Sequence, residues 1–221
     1  METKRDERKA LVSGQKRAHI MKAARAVFEA EGLEGASLRA IAAQAGYTPA
    51  ALYFHFDSKE ALYAEVLRSS LAALGDAVDQ SIVGLCLPED RLKRAAMAFF
   101  NHYAAKPRDL DLGFYLFRGG MKPAGLGSAH DEKLNAALQA ALQPVAAAAE
   151  ALGASAREAR LIMVEIFAHA TGLLLLLHTG RIRMFGASAP GLMEAYVKER
   201  VELLRMRRAA PRKAVPEPSP M

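Results

Sequence analysis

The stretch Ser37 to Lys59, SLRAIAAQAGYTPAALYFHFDSK, predicts two short helices joined by a tight turn, followed by the start of a third helix. Ser37 is a favourable N-cap. The apolar residues after it recur at intervals of three and four, which places them on one helical face: Leu38, Ile41, Ala42 and Ala45. Gly46 suits the left-handed conformation that ends a helix, and Thr48 with Pro49 can begin the next one. The turn is therefore short enough for a helix-turn-helix.

The helix that begins at Pro49 is typical of a DNA-reading helix. Ala50 is small, so the N-terminal end can approach a groove closely, and Tyr53 and His55 add a hydroxyl and a ring N–H that can reach phosphates or base edges. Lys59 follows at the start of a longer helix and is a candidate phosphate contact. The predicted DNA contacts are Ser37, Leu38, Arg39, Thr48, Pro49, Ala50, Tyr53, His55 and Lys59.

The longer helix is predicted from about Ser58 to about Ser81, because an apolar stripe continues from Leu62 to Val78. Asp57 and the glutamate three residues after it imitate a capping box. The sequence therefore predicts Asp57 as the N-cap of this helix.

Residues 46–62 read GYTPAALYFHFDSKEAL, and here the sequence resembles the tetracycline-repressor-like (TetR/AcrR) family of one-component regulators. The resemblance implies an N-terminal three-helix helix-turn-helix domain that binds double-stranded DNA at a palindromic operator. It implies a C-terminal helical domain for ligand binding and dimerisation, with a homodimer that pairs through its last two long helices. It also favours a repressor over an activator, which the residues by themselves do not decide.

The rest of the chain is predicted to be all-α. From Pro88 onward the apolar residues keep helical spacing, and no run of alternating β-branched residues lies between turn signals. The opening helix of the chain is expected to start near Gln15 and to end at Gly32. The predicted domains are a mobile basic arm at 1–14, a helix-turn-helix DNA-binding domain at 15–60 with its helix-turn-helix at 37–56, a ligand-binding and dimerisation domain at 61–209, and a disordered tail at 210–221.

The chain has 221 residues, of which 52% are hydrophobic, and a formal net charge of +6 at pH 7. Its basic excess lies at the two ends: residues 1–25 hold eight Lys and Arg against three Asp and Glu, and residues 198–221 hold seven against three. A basic N-terminal arm beside a helix-turn-helix can follow a phosphate backbone, but a solvated tail has the same composition. Both interpretations stay open at this point.

A cytoplasmic protein is predicted from the cysteine content and the apolar segments. Cys86 is the single cysteine, which suits a reducing compartment, and the N-terminus lacks the apolar core of a secretory signal. Leu161 to Leu177 is near the lower length limit of a membrane span, but Glu165 and His169 inside it would be costly in lipid. We therefore predict a buried helix and no membrane partner.

The last two predicted helices carry extensive apolar surface. Residues 161–177 are apolar nearly all round, and an apolar stripe follows the final helix. This surface is covered either by the chain's own core or by a second copy in a four-helix bundle, and the family resemblance favours the second copy. The residues predicted at the dimer interface are Leu173, Leu176, Leu177, Met193, Tyr196, Val197, Val201 and Leu204.

Aromatic and thioether side chains are concentrated in two neighbouring helices of the second domain, with few polar groups among them. This composition fits an apolar pocket with a few orienting polar atoms, and it also fits an ordinary core. The resemblance favours a pocket for a small, largely hydrophobic effector, whose acidic group would meet Arg118. The predicted lining is Phe99, Phe100, Asn101, His102, Tyr103, Phe114, Phe117, Arg118, Met121, Met163 and Phe167.

Catalytic and metal-binding motifs are incomplete in this sequence. Residues 186–190 begin like a nucleophile elbow but end in proline and follow no predicted strand. His169 and His178 are nine residues apart, so they fall on opposite sides of a helix and cannot share a metal. We predict no enzyme, no metal and no cofactor. The alternatives to a ligand-responsive repressor are a DNA-binding dimer that is ligand-independent or controlled by a protein partner, and an activator.

Overall fold

The computed structural model describes residues 2–113 and 126–209. Every regular element within these ranges is a helix, which confirms the predicted all-α fold. The α-helices are, in chain order, α1 (Glu2–Gly35), α2 (Leu38–Ala45), α3 (Pro49–Tyr53), α4 (Lys59–Ser81), α5 (Pro88–Ala105), α6 (Pro107–Gly113), α7 (Ser128–Ala151), α8 (Ala156–His178) and α9 (Ala189–Ala209). A 3₁₀ helix, Arg181–Phe185, lies between α8 and α9.

The helix-turn-helix forms as predicted, because its signals are local. The Ser37 hydroxyl accepts the N–H of Ala40 at 3.1 Å and caps α2. Gly46 ends α2 with φ 69° in the left-handed region, and the Thr48 hydroxyl accepts the N–H of Ala51 at 3.3 Å at the start of α3. α1 packs against α2, and α2 packs against α3.

The start of α1 corrects the predicted onset of order near Gln15, because the helix begins at Glu2. Lys, Arg, Glu and Ala have high helix propensity, so a helix can form there without the apolar stripe that the sequence prediction required. Ile20 is the first buried residue of α1 among the side chains that the structure describes. Gly32 interrupts the helix with φ 70°, where the sequence predicts its end, and one further turn follows.

The cap of α4 also differs from the prediction. The Ser58 hydroxyl accepts the N–H of Ala61 at 3.0 Å, whereas Asp57 is exposed. The N-cap is the residue before the first helical one, which here is Lys59, so the capping role shifts by one residue from Asp57 to Ser58.

Contacts divide the described residues into two compact units. The first comprises 2–76, 105–113 and 126–141, and the second comprises 77–104 and 142–209. α6 joins the first unit because it packs against α1, where Arg25 forms an ion pair with the buried Asp109 and Arg108 pairs with Glu29 at 3.2 Å. The functional boundary at residue 60 stays a prediction. The tail predicted at 210–221 lies outside the described residues.

Candidate nucleic-acid interface

α3 presents a small, uncovered surface on a buried anchor. Leu52 is 0% exposed, whereas Pro49 and Ala50 are exposed and Tyr53 is 57% exposed. The buried leucine holds the helix in place, and the alanine leaves its first turn free of bulky atoms. A helix of this form can enter the major groove of duplex DNA with its N-terminal residues against the base edges.

The remaining predicted contacts lie at the starts of two other helices of the same unit. At α2, Ser37 and Arg39 are exposed, and Leu38 is half-buried. Because the Ser37 hydroxyl already caps α2, Arg39 supplies the charge at this end. Lys59 is half-buried as the first residue of α4, and His55 is half-buried just after α3.

Two aromatic residues beside α3 escaped the sequence prediction. Phe54 is 84% exposed, and its ring meets that of His55 edge-on at 5.2 Å between centroids. The half-buried Tyr47 lies in the turn, with its ring edge-on to that of His19 at 6.0 Å. The sequence signal that could have identified Phe54 was the spacing of the apolar residues, which places Leu52 in the core and position 54 outside it.

Ion pairs join α1 to α4 behind this surface. Glu65 pairs with Arg68 at 2.7 Å and with Arg17 at 3.0 Å, and the Arg17 guanidinium lies 4.9 Å from the centroid of the Phe56 ring. The hydrogen bond from Arg68 is the largest cause that lowers the pKa of Glu65 to about 2, so Glu65 stays ionised across the physiological range. This carboxylate therefore neutralises part of the basic charge of α1.

Residues 20–66, which contain α2, α3 and their caps, match the family model described as bacterial regulatory proteins, tetR family. This segment of the chain is therefore similar to tetR-family regulators. A curated relative, the HTH-type transcriptional repressor NicS of Pseudomonas putida, is 29% identical over 107 residues. These residues are 48% of this chain and 50% of the relative, so the chain spans about half the length of the curated relative it matches.

Two solved structures of regulators share this fold. A TetR-like transcriptional regulator from Rhodococcus sp. RHA1 matches with a TM-score of 0.63 and 18% identity over 85% of this chain and 96% of that one. The regulator FadR from Bacillus subtilis in complex with stearoyl-CoA matches with a TM-score of 0.62 and 17% identity over 85% and 96%. The matched family model and the curated relative are both described as regulatory proteins, and the absence of enzyme activity in this chain stays a prediction.

The two described ranges, 2–113 and 126–209, bear on the predicted absence of a metal site and of a membrane span. They contain no group of three or more His, Cys, Asp or Glu side chains that could hold a metal ion. α8 is long and apolar enough to cross a membrane by length and composition, with 33% of its apolar window buried. The core helix of a soluble protein can have the same length and composition, so these two properties alone do not identify a membrane span.

Three of the aromatic residues predicted to line a pocket are in contact in the second unit. The ring of Phe99 meets those of Tyr103 and Phe167 edge-on, at 5.2 and 5.6 Å between centroids. Burial raises the pKa of Tyr103 to about 12. The buried members of the predicted lining are Phe99, Phe100, His102, Tyr103 and Met163. These residues are thus covered within the second unit, and their role as a pocket lining stays a prediction.

Asn101 does not belong to that cluster, which corrects its assignment. It is exposed and lines a separate groove of about 460 Å³ with Met97 and Val197. Consecutive residues of a helix point in different directions, so Asn101 cannot share the direction of its buried neighbours. The other predicted lining residues, Phe114, Phe117, Arg118 and Met121, lie outside the described residues.

Five residues predicted at the dimer interface are covered by their own chain. α8 and α9 pack against each other. The residues of this contact that are at most 6% exposed are Leu173, Met193, Val197, Val201 and Leu204. Their assignment to a dimer interface is therefore corrected: the most regular apolar stripe of α9 marks the face that the chain buries itself. Leu176, Leu177 and Tyr196 are half-buried.

A second apolar stripe on these two helices stays exposed. Its intervals of three, four, seven and eight residues keep each set on one helical face. On α8 the exposed residues are Leu161, Val164, Ala168 and Leu175, and on α9 they are Leu192, Ala195, Leu203 and Met206. We call these eight residues the α8–α9 face. Four of its large side chains are more than 50% exposed: Leu161, Val164, Leu175 and Met206.

Polar groups bridge α8 and α9. Glu165 pairs with Arg200 at 2.9 Å, and the His169 ring stacks on that of Tyr196 at 3.9 Å between centroids. Arg200 also lies 4.9 Å from the centroid of the Tyr196 ring. Burial is the largest cause that lowers the pKa of His169, and the nearby Arg200 charge acts in the same direction. The fold therefore favours the neutral imidazole at this position.

We expect the stability of the second unit to fall as His169 becomes protonated. The pKa of His169 in the folded protein lies below the ordinary value of 6.5. The contribution of neutral His169 to stability is therefore fully present above pH 6.5 and is lost as the pH falls through the folded pKa. His169→Phe keeps a ring against Tyr196 but does not titrate. Thermal unfolding of the variant should therefore depend less on pH between about 7.5 and 5.5. Equal slopes in the variant and the wild type would contradict the assignment.

Proposed function

We propose that this chain is a homodimeric, sequence-specific DNA-binding repressor that a small, largely hydrophobic effector releases from its operator. The observation that carries the proposal is α3, a five-residue helix anchored by the fully buried Leu52 and thinned by alanine on its exposed side. It lies within the segment that matches the TetR family model. The protein would act in the cytoplasm, where it meets the chromosome.

Each predicted DNA contact has a role in this proposal. Thr48, Ala50 and Tyr53 would face base edges, since they lie on the exposed side of α3 or at its cap. Arg39 and Lys59, at the starts of α2 and α4, would contact phosphates. Ser37, Leu38, Pro49 and His55 would complete the surface between them.

A dimer is required because one five-residue helix offers few base contacts. Two copies related by a dyad would read half-sites about 34 Å apart in successive major grooves. The α8–α9 face is the surface that we propose for this pairing, as a four-helix bundle with its copy. In this proposal the α8–α9 face replaces the dimer interface that the sequence predicted, because five residues of that interface are buried within the chain.

The effector would act through α6. The predicted pocket residues between 114 and 121 directly follow α6 in the chain, and α6 is tied to two helices of the first unit. Tyr63 of α4 donates a hydrogen bond to the Leu112 carbonyl at 2.8 Å, and Arg25 of α1 pairs with Asp109. A ligand that binds the protein more tightly in its DNA-incompetent state than in its DNA-competent state, by about 1–3 kcal/mol, would lower operator occupancy several-fold.

The alternative is a DNA-binding dimer without a small-molecule effector. The edge-on packing of Phe99 with Tyr103 and Phe167 favours it, because these rings occupy the space where a ligand would lie. Isothermal calorimetry discriminates between the two. FadR from Bacillus subtilis was solved in complex with stearoyl-CoA, so long-chain acyl-CoA and fatty acids are suitable first probes. Release of bound operator by such a probe would support the repressor, and Arg118→Ala should then weaken binding of an acidic one.

Selection of bound duplexes from a random pool tests the proposal as a whole. We expect an enriched palindrome whose half-sites are centred about one helical turn apart, or a multiple of it. Absence of any enriched sequence at moderate salt would contradict a sequence-specific regulator.

Lys59→Ala is expected to weaken binding to every duplex alike. The slope of the logarithm of the binding constant against the logarithm of the salt concentration should become smaller in magnitude by about one. Substitutions at Thr48 or Tyr53 should instead change which bases are preferred. Fluorescence anisotropy at several salt concentrations, on the selected operator and on a scrambled duplex, separates the two effects. A loss of preference in Lys59→Ala, or unchanged preference in both other variants, would show that the reading surface lies elsewhere.

A further inference from the structure

A cleft of about 620 Å³ separates the N-terminal part of α1 from α3. Its α1 wall carries Arg8, Val12, Ser13, Lys16 and Ile20. Its other wall is formed by residues from the turn, α3 and the positions just after it: Tyr47, Ala51, Phe54 and His55. We call this feature the arm cleft, and we call residues 2–19 the arm.

The side chains of the arm that the structure describes face solvent. Leu11 is 65% exposed and Val12 is 43% exposed, and burial in α1 begins only at Ile20. An arm of eighteen residues is about 27 Å long at 1.5 Å per residue. An apolar and basic helix of this length, held beside an empty cleft, has surface available for a partner.

The charge in the cleft selects the kind of partner. Arg8 and Lys16 are both exposed, lie on the cleft side and are separated by about 12 Å along the helix. His55 faces them from the opposite wall. An apolar peptide or an uncharged ligand would leave both cations without a counter-charge, whereas a sugar-phosphate strand supplies phosphates at the rim and apolar sugar surface for Val12 and Phe54.

We propose that the arm cleft seats the DNA backbone that flanks the half-site read by α3. This inference rests on the proposed function and names a second contact region for the same partner. The major groove is about 12 Å wide, so a helix that enters it has a phosphate strand on each side. The strand next to Phe54 and His55 would pass between α3 and the arm, with Arg8 and Lys16 on its phosphates.

The test compares two full-length double variants with equal loss of charge. Arg8→Ala/Lys16→Ala removes the cations of the cleft. Lys106→Ala/Lys133→Ala removes two exposed lysines outside the cleft, one between α5 and α6 and one in α7. Anisotropy against salt and hydroxyl-radical footprinting on the selected operator give the readouts. The cleft variant should bind roughly 10 to 100 times more weakly at low salt, and the slope of the logarithm of its binding constant against the logarithm of the salt concentration should be smaller in magnitude by about two. It should also lose protection of the flanking DNA backbone from hydroxyl radicals. Its preferred core sequence and helical content should not change.

The possible failures are distinguishable. In one outcome, the wild type binds duplex DNA while the cleft variant matches the lysine control in affinity, in the salt dependence of binding and in protection of the flanking DNA backbone. That result would contradict the cleft proposal and leave the proposed function intact. If the wild type binds no duplex, both fall. If light scattering shows self-association that Arg8→Ala/Lys16→Ala abolishes, the occupant is a second copy, which also overturns the proposal.

Discussion

Ala50→Glu is expected to lower operator affinity by at least about a hundredfold. Ala50 is exposed as the second residue of α3, so the substitution should leave the fold intact. It would add a methylene group and a carboxylate where the helix approaches the phosphate-lined groove. Loss of a good base contact costs about 1–3 kcal/mol, and each 1.4 kcal/mol is tenfold in affinity. A dimer incurs this cost twice.

Ala73→Glu is the matched control for that variant. It makes the same change of charge and volume at an exposed position within α4. Thermal unfolding should be similar for both proteins, and anisotropy on the selected operator should separate them. Equal operator affinity in the two variants would remove α3 from the proposed interface.

Leu203→Glu is expected to convert the proposed dimer into a folded monomer with at least about a hundredfold weaker operator binding. Leu203 is 46% exposed on the α8–α9 face, so a glutamate there is solvated in the single chain. In the proposed bundle it would be buried near its symmetry mate, where desolvation and like-charge repulsion oppose pairing. Analytical ultracentrifugation should show the monomer, and circular dichroism should show unchanged helix content.

Val201→Glu provides the contrast, two residues away on the same helix. Val201 is 2% exposed within the chain, so burial of an unpaired carboxylate there should destabilise the second unit itself. We expect a lower melting temperature or loss of the folded state. A folded, monomeric Val201→Glu protein together with a dimeric Leu203→Glu protein would restore the interface that the apolar stripe first predicted.

The two faces of α9 show where sequence reasoning reaches its limit. A stripe at Met193, Val197 and Val201 identifies a helical face that must be covered, but it does not say whether the cover belongs to the same chain. The structure covers that face with the chain itself and leaves Leu203 and Met206 exposed. Both faces are apolar, so hydrophobic periodicity gives them similar weight.

The capping residues show the opposite case. Ser37, Gly46 and Thr48 act on backbone groups within three or four residues, so their roles in α2 and α3 could be predicted without knowledge of the fold. The shift from Asp57 to Ser58 at α4 is an error of one residue, because both side chains can cap and the choice depends on which residue takes the first helical conformation.

The amino-acid sequence by itself determined the helix-turn-helix, the short helix α3 and the all-α class, since caps, turn residues and helical period act over short separations. Only the tertiary structure decided which apolar face of α9 stays exposed, that α6 is tied to α1 through Arg25 and Asp109, and that the basic arm is a helix beside a cleft. Burial and charge pairing in these regions depend on residues far apart in the chain, and no local pattern encodes which of them meet.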